Sequence, residues 1–271
     1  MKIFKDKKIL INETFDIKNI GFIPTMGALH NGHISLINEA KKKTNKILVS
    51  IYVNPTQFKS KIDFKKYPRS LKKDIKILKK IKVNYLYIPS TEDIYTFKPK
   101  SKIYLDGFSK TLCGKFRPSH FKGVINIINR LLDIIKPKFI YLGMKDFQQL
   151  TLIRSHIVKN RIKTKLIPCQ TIRDKNGIAL SSRNAKLNKK QLRVAQKIYK
   201  FIKNNKKTIL KKILQKKRFE ISKNIIKFGA DKIDYIECVN LERKQICTNI
   251  KDKFNVFIAY YIKNIRLIDN L

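Results

Sequence analysis

No stretch of this 271-residue chain approaches the roughly 20 uninterrupted apolar residues that span a bilayer. The opening MKIFKDKKILINETFD is broken every few residues by Lys, Asp, Asn or Glu, so no secretory leader is expected there. A soluble, cytosolic protein without a membrane partner is the expectation. Cysteine is scarce: Cys113, Cys169, Cys238 and Cys247 lie far apart with no C-x-x-C spacing. This argues against a zinc knuckle or a disulfide framework and for buried, reduced thiols. No internal repeat is apparent, which argues against a solenoid. Acidic residues are also few, 19 against 62 Lys and Arg, so the formal net charge is +43. With 43% hydrophobic and 10% aromatic residues, however, the chain is too apolar for a disordered polycation. What remains is a folded, very basic protein, for which a nucleic-acid or membrane-surface partner is the first inference to test.

The first two-thirds alternate short β-branched runs with amphipathic, helix-length segments. Strands are predicted at Ile20–Pro24, Lys46–Asn54, the run VNYLYIP ending at Pro89, Phe139–Met144 and Thr164–Cys169. Helices are predicted through Leu36, Ile37 and Ala40, over Leu71–Ile81, Val124–Ile135 and Phe147–Val158. Strands separated by helical crossovers imply an α/β fold with a parallel sheet, in which ligands bind beyond the carboxyl ends of the strands. After about residue 171 the texture changes: Leu187–Phe228 is long, helical and Lys-rich, and DKIDYIECVNL and FNVFIAYYI resemble antiparallel strands. A smaller α+β domain is therefore expected over 172–271, its boundary near the turn-rich RDKNGIALSSRN.

At the end of the first predicted strand stands PTMGALHNGH, residues 24–33. His30 and His33, three apart, share one face of a helix start, where free backbone N–H groups and the helix dipole favour an anion. Gly32 removes a side chain where a planar base needs to approach. By itself H-x-x-H also suits helix capping or metal binding.

The motif H-x-G-H after a first strand is shared by the nucleotidyltransferase superfamily, which includes class I aminoacyl-tRNA synthetases. PTMGALHNGH is followed in order by VSIYVNPTQF (49–58), YPRSLKKD (67–74), CGKFRPSHFKGV (113–124), GMKDFQQL (143–150), GIALSSRN (177–184) and RLIDN (266–270). Together these closely resemble the pantothenate synthetase (pantoate–β-alanine ligase) family over nearly the whole chain. The resemblance implies a Rossmann-like ATP- and pantoate-binding domain over 1–171, a C-terminal lid domain over 172–271, and a homodimer paired through the first. It implies condensation of (R)-pantoate with β-alanine by way of an enzyme-bound pantoyl adenylate, with ATP as substrate accompanied by Mg²⁺.

The same resemblance assigns residues. Met26, Gly27, Ala28, Leu29, His30, Asn31, Gly32 and His33 line ATP, with His33 as proton donor or transition-state stabiliser and His30 and Lys145 beside it. Gly143, Met144, Lys145 and Asp146 meet phosphates and ribose. The backbone of Ile172 meets adenine, and Leu180, Ser181, Ser182 and Arg183 cradle the pyrophosphate. Gln57 and Gln149 bind pantoate, and Gln57 also binds β-alanine; amides both donate and accept, which suits a ligand with hydroxyls beside a carboxylate. Asn54, Arg117 and His120 are supporting residues. Asp74 is either a holder of Mg²⁺ near the phosphates or an exposed helical acid; no protein metal ligand is otherwise assigned. Tyr67, Pro68 and RLIDN read as structural. Three positions depart from the family pattern: Met144 in place of Glu, Ser119 in place of Gly, and no Gly before Arg266. Ser119 restricts its loop if that position needs positive φ.

Two other readings use the charge differently. An RNA-directed relative of class I synthetases needs a second signature of the K-M-S-K-S type, and LSSRN stands in its place. A non-catalytic RNA-binding module predicts basic residues beside exposed aromatics, whereas here lysines recur along every segment. No specific nucleic-acid partner is expected.

Overall fold

The computed structural model describes residues 1–58 and 60–271. Among these the chain divides into two compact units: residues 1–109 with 117–170, and residues 110–116 with 171–271.

In the first unit six parallel strands form one sheet: β1 (Lys2–Phe4), β2 (Ile20–Thr25), β3 (Lys46–Ile51), β4 (Tyr85–Tyr87), β5 (Phe139–Gly143) and β6 (Lys165–Cys169), in the order β1-β4-β3-β2-β5-β6. β2 and β3 are buried almost throughout, as expected of strands covered on both faces. From β2 the chain first builds β3 and β4 on one side and only later adds β5 and β6 on the other. The topological switch point therefore lies between β2 and β5, where this architecture opens a crevice for ligands. Helix Asn31–Lys41 docks Leu36, Ile37 and Ala40 on a core of Ile23, Val49, Leu78, Leu86 and Tyr141.

The sequence reading missed β1 and the helix Lys7–Thr14 that follows it. KIF is three residues long, and its strand character comes from pairing with β4 rather than from its own pattern. β3 and β5 are shorter than expected: Pro55 opens a 3₁₀ turn beyond β3, and Met144 opens another beyond β5.

Residues 100–108 are pinned to two helices by a buried network. The Tyr104 N–H donates to Nδ1 of His156 at 3.3 Å, Nε2–H of His156 donates to Oδ1 of Asn129 at 3.1 Å, and Nε2 of Gln148 donates to the Phe108 carbonyl at 2.7 Å. Burial lowers His156 to about 4, so this link depends on a neutral imidazole.

In the second unit the expected single helical stretch is three helices, Lys189–Asn204, Lys206–Leu214 and Arg218–Lys227. They pack against an antiparallel sheet of β7 (Lys232–Asn240), β8 (Gln245–Ile246), β9 (Phe254–Ile262) and β10 (Ile265–Asn270), ordered β10-β9-β7-β8. RLIDN, read only as structural, is most of β10. The ladder slips between Ile233 and Tyr235, and the intervening Asp234 takes the Arg266 Nε–H at 2.7 Å. All four cysteines are free and buried, and burial pushes the Cys169 and Cys247 thiols up to about 11.

Candidate active site

β2 and β5 are neighbours, so the segments leaving their carboxyl ends stand side by side. β2 runs into Met26–His30 and the helix Asn31–Lys41; β5 runs into Met144–Asp146 and the helix Phe147–Lys159. Of the roles left open by H-x-x-H, the histidines fill helix capping: His30 is the N-cap of the helix Asn31–Lys41 and His33 completes a capping box with it. Nδ1 of His30 accepts the Gly32 N–H at 3.1 Å, and Nδ1 of His33 accepts the His30 N–H at 3.3 Å. Because each Nδ1 accepts, each ring carries its proton on Nε2. The rings lie 4.1 Å apart. Burial, assisted by Lys145, lowers His30 to about 4. Burial, assisted by His30 and Lys145, lowers His33 to about 3. Asp146, paired with the Lys145 ammonium at 3.1 Å, opposes both shifts. The result is two neutral imidazole donors and one ammonium in mutual electrostatic reach.

Two expectations are corrected here. Five of the backbone N–H groups expected to be free for an anion are engaged within the protein: Gly27 donates to Oγ1 of Thr25 at 3.1 Å, Ala28 and Leu29 donate to Asp74 at 2.9 Å each, and His30 and Gly32 donate to the imidazoles. Asp74 is neither an exposed acid nor placed to hold an ion, for it is 1% exposed and both of its oxygens are engaged by the loop. The sequence carried a signal for this: in LKKDIKILKK, Asp74 sits four residues before the buried Leu78, on the apolar face of the helix.

Gln57 is held from several sides. Its Nε2 lies against Sδ of Met26, and its backbone carbonyl accepts from Nδ1 of His120 at 2.7 Å and from Arg117 at 3.2 Å. Asn54, 1% exposed, donates to the Gly123 carbonyl at 3.1 Å and accepts from Thr56 and, at 2.9 Å, from the Tyr95 hydroxyl. A Cβ on Gly123 would stand 2.4 Å from the Thr56 carbonyl oxygen, so this crossing of helix and turn admits only glycine. Arg117 and His120 thus hold the Gln57 backbone, and Asn54 holds the turn that carries it; Tyr95 and Gly123 were missed because their contacts arise only in the fold. Of the two adjacent amides, Gln148 is buried on Phe108 and Gln149 is half-buried.

Ile172, Leu180, Ser181, Ser182 and Arg183 belong to the second unit. The Leu180 N–H donates to the Ile172 carbonyl at 2.9 Å, and Arg173 pairs with Ala179 in an antiparallel bridge, so the two segments run together. Arg173 anchors them, forking onto Asp269 at 2.7 and 2.9 Å and reaching the Gly177 carbonyl. A Cβ on Gly177, at φ +89°, would stand 1.9 Å from the Tyr199 ring.

Residues 2–271 match the family model described as pantoate-beta-alanine ligase. The chain belongs to this family. It is 39% identical over 260 residues to pantothenate synthetase of Flavobacterium psychrophilum, spanning 94% of this chain and 92% of that relative. The enzyme of Thermotoga petrophila is 37% identical over 257 residues, spanning 93% and 91%. Among solved structures, the pantoate-beta-alanine ligase of Francisella tularensis complexed with beta-gamma ATP and beta-alanine superposes with a TM-score of 0.85 at 38% identity, over 100% of this chain and 97% of that one. Pantothenate synthetase of Thermus thermophilus gives 0.89 at 27% identity, over 100% and 99%.

The departures from the family pattern now have physical content. Ser119 adopts φ +66° just before helix His120–Ile135, a conformation that is strained for any residue with a Cβ. Ser119→Gly is therefore expected to stabilise the protein by about 1 kcal/mol, raising Tm by a few degrees in a thermal melt; an unchanged or lower Tm would show that the strain is relieved elsewhere. In the β9–β10 turn before Arg266, Lys263 takes φ +51°. Met144 leaves Asp146 as the carboxylate beside Lys145.

No group of three or more His, Cys, Asp or Glu among the described residues is arranged to hold a metal ion.

Proposed function

We propose that this family member condenses (R)-pantoate with β-alanine through an enzyme-bound pantoyl adenylate, with MgATP as substrate. The observation that carries the reading is the convergence of His30, His33 and Lys145 where β2 and β5 end. The groups there are donors and a positive charge, which suits a reaction in which an anionic carboxylate must approach an anionic phosphate.

In the first step a pantoate carboxylate oxygen bonds to the α-phosphorus and the bond to pyrophosphate breaks. Lys145 and the Nε2–H groups of His30 and His33 oppose the charge that gathers on the phosphoryl oxygens. As neutral donors with lowered pKa, the histidines act as hydrogen-bonding stabilisers; of the two roles expected for His33, proton donor is the less suited. In the second step the β-alanine nitrogen bonds to the acyl carbon, the bond to AMP breaks, and the amine proton passes to solvent. Gln57 orients both organic substrates and Gln149 the pantoate. Ser181, Ser182 and Arg183 receive the pyrophosphate, and the Ile172 backbone meets adenine. The remainder of the basic surface plays no part in these steps. By the family resemblance, a cytosolic homodimer paired through the first unit is the working form.

The adenylate is tested by isotope exchange. With pantoate present and β-alanine omitted, labelled pyrophosphate should enter ATP. Exchange that ignores pantoate, or that needs β-alanine, would contradict an adenylate intermediate.

A further inference from the structure

The loop Met26–His30 departs from the backbone conformations that side chains prefer. Gly27 takes φ +77° and Ala28 takes φ +52°, two successive left-handed residues of which only one is glycine. A bend of this kind persists only where its surroundings over-determine it. Here Oγ1 of Thr25 takes the Gly27 N–H at 3.1 Å, and the next two N–H groups converge on one buried carboxylate. Oδ2 of Asp74 accepts the Ala28 N–H and Oδ1 accepts the Leu29 N–H, both at 2.9 Å. The Ser70 hydroxyl donates to Oδ1 at 3.0 Å, and a Cβ on Gly27 would stand 3.0 Å from Oδ2. Asp74 lies in the first turn of helix Leu71–Lys80, where the helix dipole favours an anion.

We propose that Asp74 is the positioning residue of the loop that receives ATP. It grips Ala28 and Leu29 in their bend, and the next residues, His30 to His33, are then delivered as a capped helix start with both Nε2–H groups in place. The loop is preorganised by a protein anion and does not wait for the nucleotide to shape it. This rests on the reading that the loop meets ATP.

Asp74→Asn keeps the side-chain volume but turns an NH₂ toward one of the two backbone donors. The loss of a charge-assisted hydrogen bond is expected to lower kcat/KM for ATP by about ten- to a hundredfold. A purely structural role would lower Tm without this selectivity, so the decisive readout is a double-mutant cycle with Ala28→Gly. Glycine adopts the left-handed bend freely, and the loss caused by D74N should shrink at least threefold in the A28G background. Titration calorimetry with MgATP on each variant separates the two readings. If the wild-type protein does not bind MgATP, the functional reading itself falls. If it binds and D74N matches it in affinity and kcat, or loses equally in both backgrounds, the positioning role falls. Should D74N not fold, Ser70→Ala carries the test: a two- to fivefold rise in KM for ATP supports the proposal, and an unchanged KM overturns it.

Discussion

His30→Asn and His33→Asn are each expected to leave the protein folded while lowering kcat by about a hundred- to a thousandfold, the effect of removing one preorganised transition-state donor. The choice of asparagine separates the two jobs of each ring. An Asn oxygen lies close to where Nδ1 lies, and asparagine is among the best N-cap residues, so the Gly32 N–H keeps a cap in H30N and the His30 N–H keeps one in H33N. What asparagine does not reach is the position of Nε2. Thermal melts within a few degrees of wild type, together with a collapse in kcat, are the predicted pair of results. A variant that melts early and turns over normally once folded would mean that the histidines serve the helix and not the reaction.

Lys145→Met is expected to lower kcat/KM for ATP by at least about a hundredfold, because a charge in a site of restricted solvent access acts at full strength on phosphate oxygens. The Lys145 side chain is 17% exposed, and methionine fills nearly the same volume. The change has a second consequence that can be read without turnover. Lys145 is one of the causes that lower His30 and His33, after burial, so K145M should raise both imidazole pKa values in an NMR titration. Asp146 acts in the opposite sense, and Asp146→Asn should lower them further. Unmoved histidines in K145M would show that the three side chains do not form one electrostatic unit.

The parallel sheet was legible because buried strands such as FIPT and ILVSI are short, mostly apolar runs, and the intervening helices carry their own period. The switch point was not written in any motif, yet it explains why PTMGALHNGH and GMKD, more than a hundred residues apart, leave neighbouring strands side by side. The long-range polar links were beyond reach of pattern. Arg173 and Asp269 are 96 residues apart, and Tyr95 with Asn54 are 41. Each is an ordinary surface-type residue until the fold buries it. Asp74 is the instructive case, since its charge drew attention to ions while its place on the apolar helix face pointed inward. That N–H groups at this helix start are already engaged was missed for a related reason: the histidines that identify the motif are themselves its caps.

The net charge of +43 drew the first comparison with nucleic-acid-binding proteins. The proposed reaction needs only Lys145 and Arg183 among the basic side chains, and the self-repulsion of the rest is a physical cost the fold carries.

The most direct measurement is product stoichiometry. Purified protein given ATP, Mg²⁺, (R)-pantoate and β-alanine should release AMP and pantothenate in equal amounts, and omission of either organic substrate should abolish steady AMP release. AMP formed without dependence on pantoate, or pantothenate formed without ATP, would contradict the account.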